Sequence, residues 1–168
     1  MPIITSIRLF SPIIVALLLL VLSSVPTYIA GASAFFPVVD IMVIYYWSSY
    51  RPGTMPDWFV FLLGVFRDSI EGLSIGISPC VYLLVRFMVV ASRGLYRREN
   101  FIVVWQGLAI TALIAIAGKW LLVSFIMDTP LILDYAIMQF MFSVAMYPVF
   151  HWFFSLVYIT MPENFQDA

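Results

Sequence analysis

The chain has 168 residues, of which 64% are hydrophobic and only 10% charged, with a formal net charge of -1 and a mean hydropathy of +1.06. Soluble domains carry about 25% charged residues, so a water-soluble fold is excluded and an integral membrane protein is expected, helical because the long apolar runs lack the alternation of a membrane barrel. No basic cluster could offset many phosphates, which argues against a nucleic-acid partner, and Cys80, the only cysteine, leaves no disulfide framework and no thiolate metal site.

The expected fold class is all-α: a polytopic membrane protein of about six transmembrane helices forming one domain over residues 1–168. The first apolar segment, 9–28, follows Arg8, contains Leu17 to Leu20 and is long enough to span once. Its rival reading is a cleaved signal peptide, since Ala32-Ser33-Ala34 has the A-x-A form that signal peptidases accept. That site lies far beyond Leu22, which favours a retained anchor. Helix 2 is expected over 35–50 with Asp40 inside it, and its cluster Tyr45-Tyr46-Trp47 suits a membrane interface.

Arg51-Pro52-Gly53-Thr54-Met55-Pro56 then breaks the chain, and Asp57 and Trp58 open helix 3, an acid at a helix N-terminus and an aromatic at the interface. From Asp57 to Glu71 the rise is about 22 Å, less than the ~30 Å hydrocarbon core, so helix 3 is short. Ser78-Pro79 reads as an N-cap and first helical position for helix 4, 79–92 or on to Tyr96, which carries Arg86. Arg93, Arg97 and Arg98 follow in the most basic loop. Helix 5 is expected over 101–127 with Lys119 inside it, and helix 6 over 131–160, before a short acidic tail. Six spans would place Arg8, Arg51, Arg93, Arg97 and Arg98 on one side, so both termini are expected in the cytoplasm.

One stretch combines charge with strict spacing. Gly64, Asp68, Gly72 and Gly76 recur every fourth residue, and on a helix the first three share a narrow stripe. Glycines admit another backbone and an acid at membrane depth needs a partner, so the stripe reads as a structural or partner-binding motif. Arg67 and Glu71 stand at i,i+4 and are expected to pair along their helix. An ion pair of Asp40 or Asp68 with Arg86 inside the bundle is the further expectation, with Lys119 as another available cation for Asp68.

Catalysis has little support. His151, the only histidine, lies among Phe150, Trp152, Phe153 and Phe154 and reads as packing. No second histidine completes a metal site, and no G-x-S-x-G elbow occurs. No catalytic, cofactor-binding or metal-ligating residue is assigned. Met138, Met141 and Met146 on helix 6 form an adaptable face suited to ordinary helix packing or to docking.

The chain resembles the bacterial rod shape-determining protein MreD family. The likeness runs from Phe36-Pro37 through Tyr45-Tyr46-Trp47, Arg51-Pro52 and Gly64-x3-Asp68-x3-Gly72-x3-Gly76 to Trp105-Gln106, with a weaker echo at Tyr147-Pro148. Arg67 and Glu71 depart from the small or apolar residues expected there. The resemblance implies a non-enzymatic inner-membrane scaffold of the lateral cell-wall elongation machinery. It would bind MreC and, through it, reach MreB filaments, a penicillin-binding transpeptidase and the glycosyltransferase RodA. Arg93, Arg97 and Arg98 could also meet anionic headgroups of membrane lipid, although setting topology explains them as well.

Two rivals stand beside this reading. The first is a substrate-binding subunit of an energy-coupling-factor vitamin transporter, which the six-helix layout also resembles. Such subunits typically present Ala-x-x-x-Ala on helix 1, whereas Ala16 here is followed by four leucines. The second is a small ion- or proton-conducting protein using Asp40, Asp68 and Arg86.

Overall fold

The computed structural model describes residues 2–23, 38–96, 101–127 and 133–159. Among them the elements are α1 (Pro2–Ser23), α2 (Val39–Tyr50), a 3-10 turn (Pro52–Thr54), α3 (Asp57–Glu71), α4 (Ile77–Tyr96), α5 (Phe101–Met127) and α6 (Leu133–Ile159), with no strand. Among the described residues two helices, α5 and α6, are long and apolar enough to cross a membrane. Ala32-Ser33-Ala34, Arg97, Arg98 and the acidic tail lie outside the described residues, as does the side chain of Arg93 in the last turn of α4.

The bundle is built around α2. Its sequence, VDIMVIYYWSSY, has no polar face, and every residue from Val39 to Ser49 is buried. A helix that is apolar all round belongs in an interior. At 12 residues α2 is only about 18 Å long, and α1, α4, α5 and α6 all pack on it. The Tyr45-Tyr46-Trp47 cluster therefore lies in the core, at 0%, 3% and 0% exposure, and not at an interface as the sequence suggested. The polar handle that draws tyrosine to an interface is satisfied internally: the Tyr45 hydroxyl donates to the Val104 carbonyl at 2.8 Å. Its ring meets Tyr147 edge-on at 6.0 Å.

Other boundaries also move. The first helix begins at Pro2, ahead of the expected 9–28 segment, whose end past Ser23 lies outside the described residues, and α2 begins at Val39, which brings Asp40 into its first turn. In α6, Pro148 lies inside the helix and can give no N–H to the carbonyl four residues back, that of Val144. The indole of Trp105 donates to that carbonyl at 2.8 Å. Trp105 of α5 thus satisfies an acceptor that proline orphans in α6, and locks the two long helices in register.

The α3–α4 hairpin follows from small residues and one acid. Gly64 faces Pro79 so closely that a Cβ built there would stand 2.5 Å from the Pro79 nitrogen, and only glycine permits that approach. Gly72 ends α3 in the left-handed conformation, with φ 68°. The chain then turns at Gly76, with φ 119°, into α4. Asp68, fully buried, closes the turn: its carboxylate accepts the Gly76 N–H at 2.9 Å and the Ser78 N–H at 3.0 and 3.2 Å. An anion at the first turn of α4 also complements the helix dipole. The cap of α4 is therefore Asp68, from the preceding helix, and not Ser78. The Ser78 hydroxyl is buried without a partner among the described residues.

Candidate functional site

Four of the charges that composition makes so scarce, Asp40, Arg67, Glu71 and Lys119, gather at one end of the bundle. That end is formed by the start of α2, the end of α3, the start of α4, the last third of α5 and the start of α6. Arg67 is the hub. Its Nε donates to Glu71 Oε1 at 2.6 Å and lies 3.7 Å from Asp40 Oδ2, and its Nη1 donates to Ser23 Oγ at the end of α1 at 3.1 Å. Lys119 of α5 donates to the other Glu71 oxygen at 2.6 Å. The Tyr82 hydroxyl of α4 donates to Asp40 Oδ2. One network thus ties five helices together, with two cations and two carboxylates.

These groups border a cavity of about 300 Å³. Asp40, Arg67, Glu71, Tyr82 and Lys119 contribute its polar wall together with Tyr135 and Gln139 of α6, and Ile41, Val81, Ala115, Ile116 and Val123 supply apolar surface. Asp40 is only 4% exposed, and its Oδ1 has no hydrogen-bond partner among the described residues. Chemically the wall is a charge-balanced set of donors and acceptors in apolar surroundings. Among the described residues, no group of three or more His, Cys, Asp or Glu converges for a metal ion.

The ion pairs expected of Asp40 or Asp68 with Arg86 do not form. Arg86 lies near the opposite end, where it pairs with Asp57 of α3 and donates to the Pro52 carbonyl at 3.4 Å. The reason is register. Gly64 sits on Pro79, so antiparallel α3 and α4 bring the start of α3, not Asp68, level with Arg86. Asp40 takes Arg67 and Tyr82, and Asp68 takes backbone N–H groups. The glycine stripe that reads as a seat for a partner is occupied from within: Gly64 receives the chain's own next helix. The Arg67–Glu71 pair is present, and it is shared with Lys119.

His151 is enclosed by aromatic rings, with centroids at 5.1 Å from Phe101, 5.5 Å from Tyr46, 5.6 Å from Tyr147 and 6.1 Å from Tyr50. Arg51, 4% exposed, lies over the Tyr158 ring at 4.5 Å, a cation–π contact. Met138, Met141 and Met146 are exposed on α6, most of whose residues are not buried.

Sequence reading missed Tyr82 and Ser23 and gave Lys119 the wrong acid. Depth was the available signal. With antiparallel neighbours, the end of α3 and the last third of α5 share one end of the bundle, which places Lys119 within reach of Glu71. Against family models, curated proteins and solved structures, the chain matches none.

Proposed function

We propose that this chain is a multi-pass protein of the bacterial inner membrane, with six spans and both termini cytoplasmic. In this reading it is a non-enzymatic scaffold of the cell-wall elongation machinery, as its resemblance to MreD implies. The observation that carries the reading is that residues of the resemblance, two pairs of them far apart in sequence, meet as matched parts. Tyr45 packs on Tyr147, Trp105 serves the carbonyl that Pro148 frees, and Asp68 holds Gly76. Short α2 is compatible with a membrane setting because longer helices surround it, so its irregular ends meet protein before lipid.

A scaffold of this kind meets partners through helix faces and short turns. The exposed methionine face of α6 is the surface we assign to MreC, whose contact brings MreB, RodA and a penicillin-binding transpeptidase into the same assembly. The test is pull-down of the tagged full chain from its own membranes, with depletion in parallel. Recovery of MreC and loss of rod shape are expected; absence of MreC, with normal shape on depletion, refutes the assignment.

The cavity favours a second reading, a substrate-binding subunit of an energy-coupling-factor transporter, because a cavity with apolar walls and a few polar groups suits a small ligand. A vitamin released from the purified chain on denaturation, and identified by mass spectrometry, would establish that reading in place of the first.

A further inference from the structure

The cavity's wall specifies the kind of molecule it takes. Arg67 and Lys119 balance Asp40 and Glu71 in formal charge, so a ligand of net charge would leave an uncompensated ion among apolar groups. A ligand carrying both signs close together leaves none. The available groups are complementary to such a ligand. Glu71 takes one of the three N–H donors of Lys119, which leaves donors for an anionic oxygen. Glu71, whose side chain is 26% exposed, accepts one bond on each carboxylate oxygen and has lone pairs left, which suits an N–H of a primary ammonium. Val81, Ile116 and Val123 then receive an apolar stem. At about 300 Å³ the space lies at the small end of ligand sites, ~300–1,000 Å³. That is room for a headgroup or a small zwitterion, not for acyl chains.

We propose that this cavity binds a primary-ammonium zwitterion with an apolar stem, supplied either as a phosphatidylethanolamine headgroup or as a free α-amino acid. The assignment does not depend on the scaffold reading, since it needs neither MreC nor a transporter. Phosphatidylcholine, whose quaternary ammonium has no N–H to give, is excluded by the same chemistry.

The test uses the full chain in nanodiscs of phosphatidylcholine and phosphatidylglycerol. One arm adds phosphatidylethanolamine and reads retained lipid by native mass spectrometry; the other adds radiolabelled L-leucine and reads binding by equilibrium dialysis. Expected is saturable binding of at least one probe. Phosphatidylethanolamine alone identifies a lipid source, and leucine a soluble one. Lys119→Gln should weaken binding by about tenfold or more, as loss of one hydrogen bond to a charged group implies. Ala136→Phe, which fills the cavity from α6 and leaves all four charges in place, should abolish it. Helical circular dichroism of each variant checks that it is folded. The proposal is overturned if neither probe binds, if phosphatidylcholine is retained as well as phosphatidylethanolamine, or if folded Ala136→Phe binds like the parent chain.

Discussion

Replacing Asp68 tests the α3–α4 turn most directly. The carboxylate is fully buried and holds two N–H groups, of Gly76 and Ser78. Hydrogen bonds to a charged group contribute roughly 1.5–3 kcal/mol each, and a charge at a helix N-terminus adds about 0.3–1 kcal/mol. Asp68→Ala strands both donors and removes the charge, so the expected loss is about 3–7 kcal/mol. Asp68→Asn keeps one acceptor oxygen but turns an NH2 toward the second donor and removes the charge, for an expected loss of about 2–3 kcal/mol. Stability is read from helical circular dichroism during detergent titration of the purified chain, and local opening from hydrogen exchange of residues 72–78. Both variants should insert into the membrane, since the apolar helices are unchanged. Faster exchange at Gly76 and Ser78 should accompany the lost stability. If either variant stays within about 0.5 kcal/mol of the parent, inside the range of ordinary surface changes, the carboxylate does not hold this turn.

Gly64→Ala places a methyl 2.5 Å from the Pro79 nitrogen and 2.6 Å from its Cα, backbone atoms that cannot rotate away, and should cost about 1–3 kcal/mol or more. Gly94→Ala, with nothing within 4 Å and in a helix, should instead be neutral or stabilise by up to about 1 kcal/mol; equal melting shifts for the two would refute the close-approach reading. Trp105→Phe leaves the Val144 carbonyl without its indole donor, for an expected loss of about 1–3 kcal/mol. Pro148→Ala in that background restores a main-chain N–H and should recover part of the loss, so absence of recovery counts against the proline–indole pairing. Exchanging the charges of Glu71 and Lys119 should not restore stability lost in Glu71→Gln, because Arg67 also draws on the Glu71 carboxylate. Full rescue in a detergent melt would show that Arg67 does not share it.

Much of the fold is readable from residue order. The bounds of α3 and α5 follow from turn signals, since Pro56-Asp57 opens one, Gly72 closes it, and Phe101 to Met127 is one apolar run. The all-helical character follows from apolar runs that never alternate, and the Arg67–Glu71 pair from helix periodicity. Local rules misplaced what depends on surroundings. Tyr45-Tyr46-Trp47 has the composition of an interface, yet it is buried because α2 is enclosed by its neighbours. Ser78 has the form of a cap, yet α4 begins one residue earlier, at Ile77, and a carboxylate from α3 takes the N–H groups of Gly76 and Ser78 at its start.

The sequence by itself determined that apolar helices would form, where most of them stop, and that a few charges would have to satisfy one another. Only the tertiary structure decided which charges do so. Ion pairing depends on helix register, and register here is set where Gly64 lets Pro79 approach. That contact carries Arg86 to Asp57, leaves Asp68 to the backbone of the turn, and gathers Asp40, Arg67, Glu71 and Lys119 at the other end. Spacing along one helix encodes its own faces, but not the depth at which another helix meets them.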